Sequence, residues 1–66
     1  MLSARNKLPG KVKSVKLGTV MAEVVVSVGG LEIVAAITRG SAESLGLKVG
    51  DEVKAVIKAT EVMIDK

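Results

Sequence analysis

The sequence lacks the side chains that most often carry protein chemistry, because its 66 residues include no cysteine, no histidine and no Phe, Tyr or Trp. The absence of cysteine excludes disulfides, thiolate metal sites and thiol nucleophiles, and the absence of histidine excludes the ordinary zinc sites. The seven acidic residues are scattered along the chain. Acid–base and nucleophilic catalysis need a matched partner group nearby. We therefore expect no enzyme, no cofactor and no metal with direct protein ligands.

Long apolar runs are also missing. None reaches the roughly 18 residues that a membrane-spanning helix needs. Polar or charged residues interrupt the hydrophobic centre of the sequence, namely Glu23, Ser27, Glu32 and Arg39. The first residues show no signal-peptide pattern, so we expect a cytoplasmic protein with no membrane partner.

The length predicts a single domain over residues 1–66. A chain of this size buries only roughly 60% of its unfolded surface, so it usually needs additional stabilisation. Disulfides and structural zinc are excluded, and hydrophobic residues make up 48% of the sequence. Self-association through a shared core of aliphatic side chains is the remaining way to stabilise it.

The positive charge is concentrated at one end. Residues 1–16 contain five basic side chains and no acidic one, whereas residues 17–66 contain five basic and seven acidic side chains, for a net charge of +3. An anionic ligand and a nucleic acid are the two partner classes that this asymmetry suggests.

Strand patterns alternate with turn signals along the chain. Residues 11–17, after Pro9 and Gly10, predict an edge strand protected by lysines. The valine-rich residues 20–28 predict a second strand. Gly29 and Gly30 predict a type I′ hairpin turn into a third strand over residues 31–38. Its central run, 33–37, has no charged residue, so we expect both of its faces to be covered.

The second half of the chain predicts a helix and two more strands. A short helix over residues 41–47 would begin at Ser41 as N-cap and end at Gly46 in a left-handed conformation. A turn over residues 48–52 leads to a fourth strand over 53–58, and residues 62–64 predict a short fifth one. The fold class is therefore all-β: a small five-stranded OB-like antiparallel barrel with one short helix between strands 3 and 4.

Three groups of side chains match the needs of a tetrahedral dianion, which binds to converging hydroxyl, amide and cationic donors. These groups are Ser3 with Arg5, Thr38 with Ser41, and Lys58 with Thr60. Each alone also fits a solvated terminus, a helix cap or a strand end. The alternative is an OB-type nucleic-acid-binding module, but such barrels stack bases on aromatic side chains, which are absent. Nucleic acid is therefore the disfavoured partner.

Three stretches of the sequence, residues 3–6, 36–47 and 56–64, resemble the molbindin (Mop) family of molybdate-binding proteins. The resemblance covers essentially the whole chain. It implies a single OB-like Mop domain, of the TOBE type, that assembles as a homohexamer. It also implies intracellular storage or homeostasis of molybdate or tungstate, with the anion held between subunits.

The resemblance also implies which residues bind the oxyanion. One subunit would contribute Ser3, Ala4 and Arg5, and another would contribute Thr38, Ser41, Lys58 and Ala59. Ala59 stands where relatives have serine, so it would offer only its backbone N–H. The anion would be held by hydrogen bonds and positive charge, with no protein atom bound to the metal.

Overall fold

The computed structural model describes residues 5–66, so Ser3 and Ala4, two of the predicted site residues, lie outside the described residues. The described chain forms one four-stranded antiparallel sheet with the strand order β3-β2-β1-β4. Its elements are β1 (Asn6–Leu17), β2 (Met21–Val28), β3 (Leu31–Thr38), the helix α1 (Arg39–Leu45), β4 (Glu52–Ile57) and a 3₁₀ turn (Ala59–Glu61). The fold is mostly β with one helix between the third and fourth strands.

The β2–β3 hairpin confirms the sequence prediction. Gly29 and Gly30 both have positive φ, 52° and 87°, as a type I′ turn requires. The two strands pair antiparallel from Val28 opposite Leu31 to Met21 opposite Thr38. One face of β3 packs on the core. Its other face is open, with Val34 64% exposed, so cover on that side stays a prediction.

The predicted start of the first strand at residue 11 is wrong, because β1 begins at Asn6, and in the strand order β1 lies between β4 and β2. It pairs with β4 from Asn6 to Lys11 and with β2 from Lys11 to Leu17. Away from Lys11 and Val12, each half of the strand has a neighbour on one side only, so the lysine-rich half that pairs with β2 is locally an edge, as predicted. Pro9 is tolerated because it lies in such a half, where a missing N–H need not interrupt a second ladder.

Gly10 marks the place where β1 passes from one partner strand to the other. A Cβ atom at this position would lie 2.9 Å from Val26 Cγ1 and 2.9 Å from Val28 Cγ2, and it would also meet the backbone oxygen of Ser27. These approaches are closer than van der Waals contact allows. Only glycine at this position lets β1 approach β2 so closely.

The core is small and aliphatic. Val12, Val24 and Val26 are buried, and half-buried side chains pack around them, including Ile33, Ile37 and Val53. Burying one such side chain contributes about 1.5–3 kcal/mol. An apolar groove remains open between β3 and β4, so the sheet curls without closing into a barrel.

The chain after the 3₁₀ turn does not form the predicted fifth strand. Residues 62–66 are irregular, and Met63 and Ile64 are 92% and 88% exposed. Three residues with no cross-strand partner cannot maintain a strand in water. The four-stranded sheet is therefore OB-like but open in a single chain.

The end of α1 follows the prediction. Gly46 is left-handed (φ 63°, ψ 37°) and its N–H donates to the Glu43 carbonyl at 3.0 Å. The N–H of Leu47 donates to the Ala42 carbonyl at 3.2 Å, which completes the terminating motif. Among residues 5–66 no helix is long and apolar enough to cross a membrane.

Candidate anion-binding site

Thr38 and Ser41 form a hydroxyl pair where β3 turns into α1. Thr38 Oγ1 accepts a hydrogen bond from the Ser41 backbone N–H at 3.1 Å, and the two side-chain hydroxyl oxygens lie 2.8 Å apart. Thr38 is thus the N-cap of α1, and the prediction that Ser41 is the cap is wrong. The reason is that Thr38 has the extended backbone of a cap (φ −70°, ψ 149°), whereas Ser41 already lies within the helix.

A third hydroxyl belongs to the same surface. Ser44 lines a shallow depression together with Thr38, Gly40, Ser41 and Leu45. Ser41 and Ser44 are three residues apart in α1, so they face the same side of the helix. All three hydroxyl-bearing residues are exposed. Ser44 is not among the predicted site residues, although its i, i+3 spacing from Ser41 in the sequence is a signal that would have found it.

Arg5 and Lys58 adjoin the same end of the β1–β4 ladder. Asn6 and Ile57 are cross-strand partners there, and Arg5 precedes Asn6 whereas Lys58 follows Ile57, just outside the two strands. Both are exposed. The two ion pairs within residues 5–66 join other side chains, Lys13 with Glu32 and Arg39 with Glu43. Within residues 5–66, Arg5 and Lys58 therefore form no ion pair, and both lie at one end of the β1–β4 ladder.

Ala59 begins the 3₁₀ turn that follows Lys58. The turn is closed by the N–H of Glu61, which donates to the Lys58 carbonyl at 2.9 Å. The first N–H groups of a helical turn have no partner within it, so the N–H of Ala59, an exposed residue, is of the kind that binds anions. Ala59 has no side-chain donor to add.

The described site residues thus fall into two groups. Along the sheet they lie at opposite ends of β1, because Thr38 pairs with Met21 near the Leu17 end, whereas Arg5 adjoins the Asn6 end. Across the open side of the sheet, Ile37, Leu45 and Ile57 line one groove, which places Thr38 and Lys58 next to residues of that groove. No hydrogen bond or ion pair within residues 5–66 joins the two groups.

Comparison with known proteins assigns the chain to a family. The TOBE domain family matches residues 2–64. Molybdenum-pterin-binding protein 3 of Clostridium pasteurianum is 53% identical over 64 residues, which cover 96% of this chain and 94% of that protein.

Solved structures agree with this match. A molybdate-binding protein from Sporomusa ovata superposes with a TM-score of 0.95 at 48% identity, covering 100% of this chain and 98% of that one. The molybdate-bound form of the cytoplasmic molybdate-binding protein ModG superposes with a TM-score of 0.84 at 48% identity, covering 89% of this chain and 43% of that one. This chain therefore belongs to the TOBE-domain family, within its molbindin (Mop) group of molybdenum-pterin-binding proteins.

Proposed function

We propose that this chain binds molybdate or tungstate reversibly, as an intact oxyanion, and performs no catalysis. The observation that carries the proposal is the donor set: hydroxyls at the start of α1, two cations, Arg5 and Lys58, that form no ion pair within residues 5–66, and the turn N–H of Ala59 next to Lys58. These are the groups that hold a tetrahedral dianion through charge-assisted hydrogen bonds. Similarity to proteins whose names state molybdate binding supports the same ligand.

The free oxyanion is a better ligand for this chain than a pterin that carries molybdenum, although the relatives' name refers to a molybdenum-pterin. A flat pterin ring is normally recognised by stacking on aromatic side chains. The sequence contains no aromatic residue and no histidine. The hydroxyl and cationic groups instead match the oxygens of the anion itself.

We further propose that the site is shared between subunits. Ser3, Ala4 and Arg5 would come from one subunit, and Thr38, Ser41, Lys58 and Ala59 from another. Within one chain, Arg5 and the Thr38–Ser41 pair lie at opposite ends of β1 and no hydrogen bond within residues 5–66 joins them, which supports a contribution from a second copy. Selectivity over sulfate would then rest on cavity size, because a smaller ion leaves some donors unpaired.

The surface of the single chain supports self-association, and the proposed assembly is a homohexamer. Val34, Met63 and Ile64 are 64%, 92% and 88% exposed, and the groove between β3 and β4 is open and apolar. Monomeric proteins rarely expose such surface in contiguous patches. In the assembly, residues 62–64 would provide the fifth strand and close the OB-like barrel.

The cellular role in this proposal is storage or homeostasis of the oxyanion in the cytoplasm, without a cofactor. The similar structure of ModG, which is described as a cytoplasmic molybdate-binding protein, supports the cytoplasmic part of this role. The number of anions bound per chain distinguishes simple filling of interface sites from additional sites elsewhere in the assembly.

Isothermal titration calorimetry of the purified protein tests the proposal. We expect molybdate and tungstate to bind at micromolar concentration or tighter, and sulfate to bind much more weakly. A flat titration with all three anions would refute oxyanion binding.

The alternative, nucleic-acid binding, rests on exposed lysines along the β1–β4 ladder, among them Lys7, Lys11 and Lys54. Phosphate contacts alone give affinity that falls steeply with salt. A gel shift with a single-stranded oligonucleotide at physiological salt separates the two functions, because only the alternative predicts a stable complex there.

A further inference from the structure

Arg39 is the first residue of α1 and directly follows Thr38, yet its contacts lie away from the hydroxyl pair. Its Nε donates to Glu43 Oε1 at 2.7 Å, and its Nη1 donates to the Gly18 carbonyl at 3.3 Å. Its backbone N–H donates to the Val20 carbonyl at 2.8 Å. We call these three contacts the Arg39 clamp.

The clamp connects the helix to a turn that is itself closed. Gly18 lies between β1 and β2, and its own N–H donates to the Met21 carbonyl at 2.7 Å. Arg39 therefore joins the first turn of α1 to the β1–β2 turn through both its backbone and its guanidinium group.

The helix needs such a connection. α1 has seven residues, and Ala42 is its one buried residue. A helix this short is unstable on its own in water, so its position depends on tertiary contacts. Any shift of its first turn would displace the Ser41 hydroxyl relative to Thr38, which belongs to β3.

The charge of Arg39 is already matched. Glu43 forms an ion pair with it, and Arg39 is not among the residues that line the depression formed by Thr38, Gly40, Ser41, Ser44 and Leu45. Its guanidinium group is thus placed to hold the helix and not to contact an anion in that depression.

We propose that Arg39 is a positioning residue: it fixes the hydroxyls of Thr38 and Ser41 at the spacing that selects molybdate over sulfate, without touching the anion. This inference rests on the proposed function. In this proposal Arg39 sets the positions of the hydroxyl donors, whereas Arg5 and Lys58 supply the positive charge that attracts the anion.

Charge and geometry are separated by two substitutions, Arg39→Lys and Arg39→Gln. Lysine keeps the charge but cannot reach both acceptors with a planar fork. We expect both variants to bind molybdate about two- to tenfold more weakly, which corresponds to roughly one net hydrogen bond. We also expect both to lower the ratio of molybdate to sulfate affinity, which loss of stability alone would not change. Lys48→Gln, in the turn before β4, is the matched control for charge removal and should leave both quantities unchanged.

Glu43→Ala distinguishes a positioning role of Arg39 from a direct contact with the anion, because the two predict opposite changes in molybdate affinity. The clamp predicts weaker molybdate binding when Glu43 is removed, because Arg39 loses its partner. A direct electrostatic contact between Arg39 and the anion predicts stronger binding, because a nearby negative charge is gone.

Calorimetry with molybdate and sulfate, at a temperature where circular dichroism shows every variant folded, decides between these outcomes. Wild-type affinity in Arg39→Lys, or tighter binding in Glu43→Ala, would overturn the inference. If the wild-type protein binds neither anion, the proposed function itself fails. That failure is seen in the wild type alone, whereas failure of the Arg39 inference is seen only in the variants.

Discussion

Asn6 and Ile57 are cross-strand partners at the end of the β1–β4 ladder, with Arg5 immediately before Asn6 and Lys58 immediately after Ile57 in the sequence. Neither cation belongs to the two ion pairs of residues 5–66. We therefore assign the positive charge of the proposed site to these two residues, Arg5 from one subunit and Lys58 from another.

Arg5→Ala should weaken molybdate binding at least tenfold, because a charged hydrogen-bond donor contributes about 1.5–3 kcal/mol. The oligomer should remain assembled. Calorimetry measures the affinity, and sedimentation velocity measures the assembly. Lys48→Ala is the control for a general loss of charge and should bind as the wild type does. Unchanged molybdate binding in Arg5→Ala would show that Arg5 has no role in the site.

Gly10→Ala should destabilise the protein by about 1–3 kcal/mol, the usual cost of forcing a methyl group into a packed contact. The new Cβ would lie 2.9 Å from both Val26 Cγ1 and Val28 Cγ2. Gly40→Ala is the matched control, because nothing lies within 4 Å of its Cβ position and it lies inside α1. That variant should gain up to about 1 kcal/mol from helix propensity. Denaturant unfolding measures the free energy of unfolding of both variants. Equal stabilities of Gly10→Ala and Gly40→Ala would contradict the close approach of β1 to β2 at Gly10.

Substitutions of Thr38 should separate its structural role from its binding role. Thr38→Val removes the cap and should lower stability by about 1 kcal/mol, whereas Thr38→Asp keeps a capping oxygen and should remain near wild-type stability. Both should bind molybdate poorly, since valine donates nothing and aspartate repels the dianion. Unfolding and calorimetry on the same two proteins check this, and wild-type affinity in Thr38→Asp would remove Thr38 from the site.

The exposed tail should matter for assembly. Met63→Lys with Ile64→Lys replaces two side chains that are 92% and 88% exposed in the single chain. If residues 62–64 are buried between subunits, the double variant should sediment as smaller species at micromolar concentration, because unpaired charge is costly to bury. Val49→Lys, at a valine that is 68% exposed in the turn before β4, is the control. Full assembly of the double variant would contradict a role for the tail in the interface.

The parts of the fold that the sequence predicts correctly are set by neighbouring residues. Two glycines fix the β2–β3 turn, and Gly46 fixes the end of α1, because each needs a left-handed backbone locally. The position of β1 depends instead on pairing with β4, far away in the sequence. The lysine-rich alternation covers only the half of β1 that pairs with β2, so the pattern does not show that the strand begins at Asn6 and continues along β4.

The candidate site shows the same limit. Residue types and family resemblance identify Thr38, Ser41, Arg5 and Lys58, but both Thr38 and Ser41 are good caps, and only the end of β3 decides between them. The depression that adds Ser44 depends on which face of α1 turns outward. Whether two subunits share the site depends on contacts between copies, which no pattern within one chain specifies.

A subunit-mixing experiment tests the shared site most directly. Arg5→Ala and Ser41→Ala subunits, each binding molybdate poorly when alone, are unfolded together in equal amounts and refolded, and the molybdate bound per chain is measured by calorimetry. If Arg5 of one subunit and Ser41 of another complete each site, random assembly should restore about one quarter of the sites at wild-type affinity. If the mixture binds no more molybdate than the two variants measured separately, the site lies within one chain and the account is contradicted.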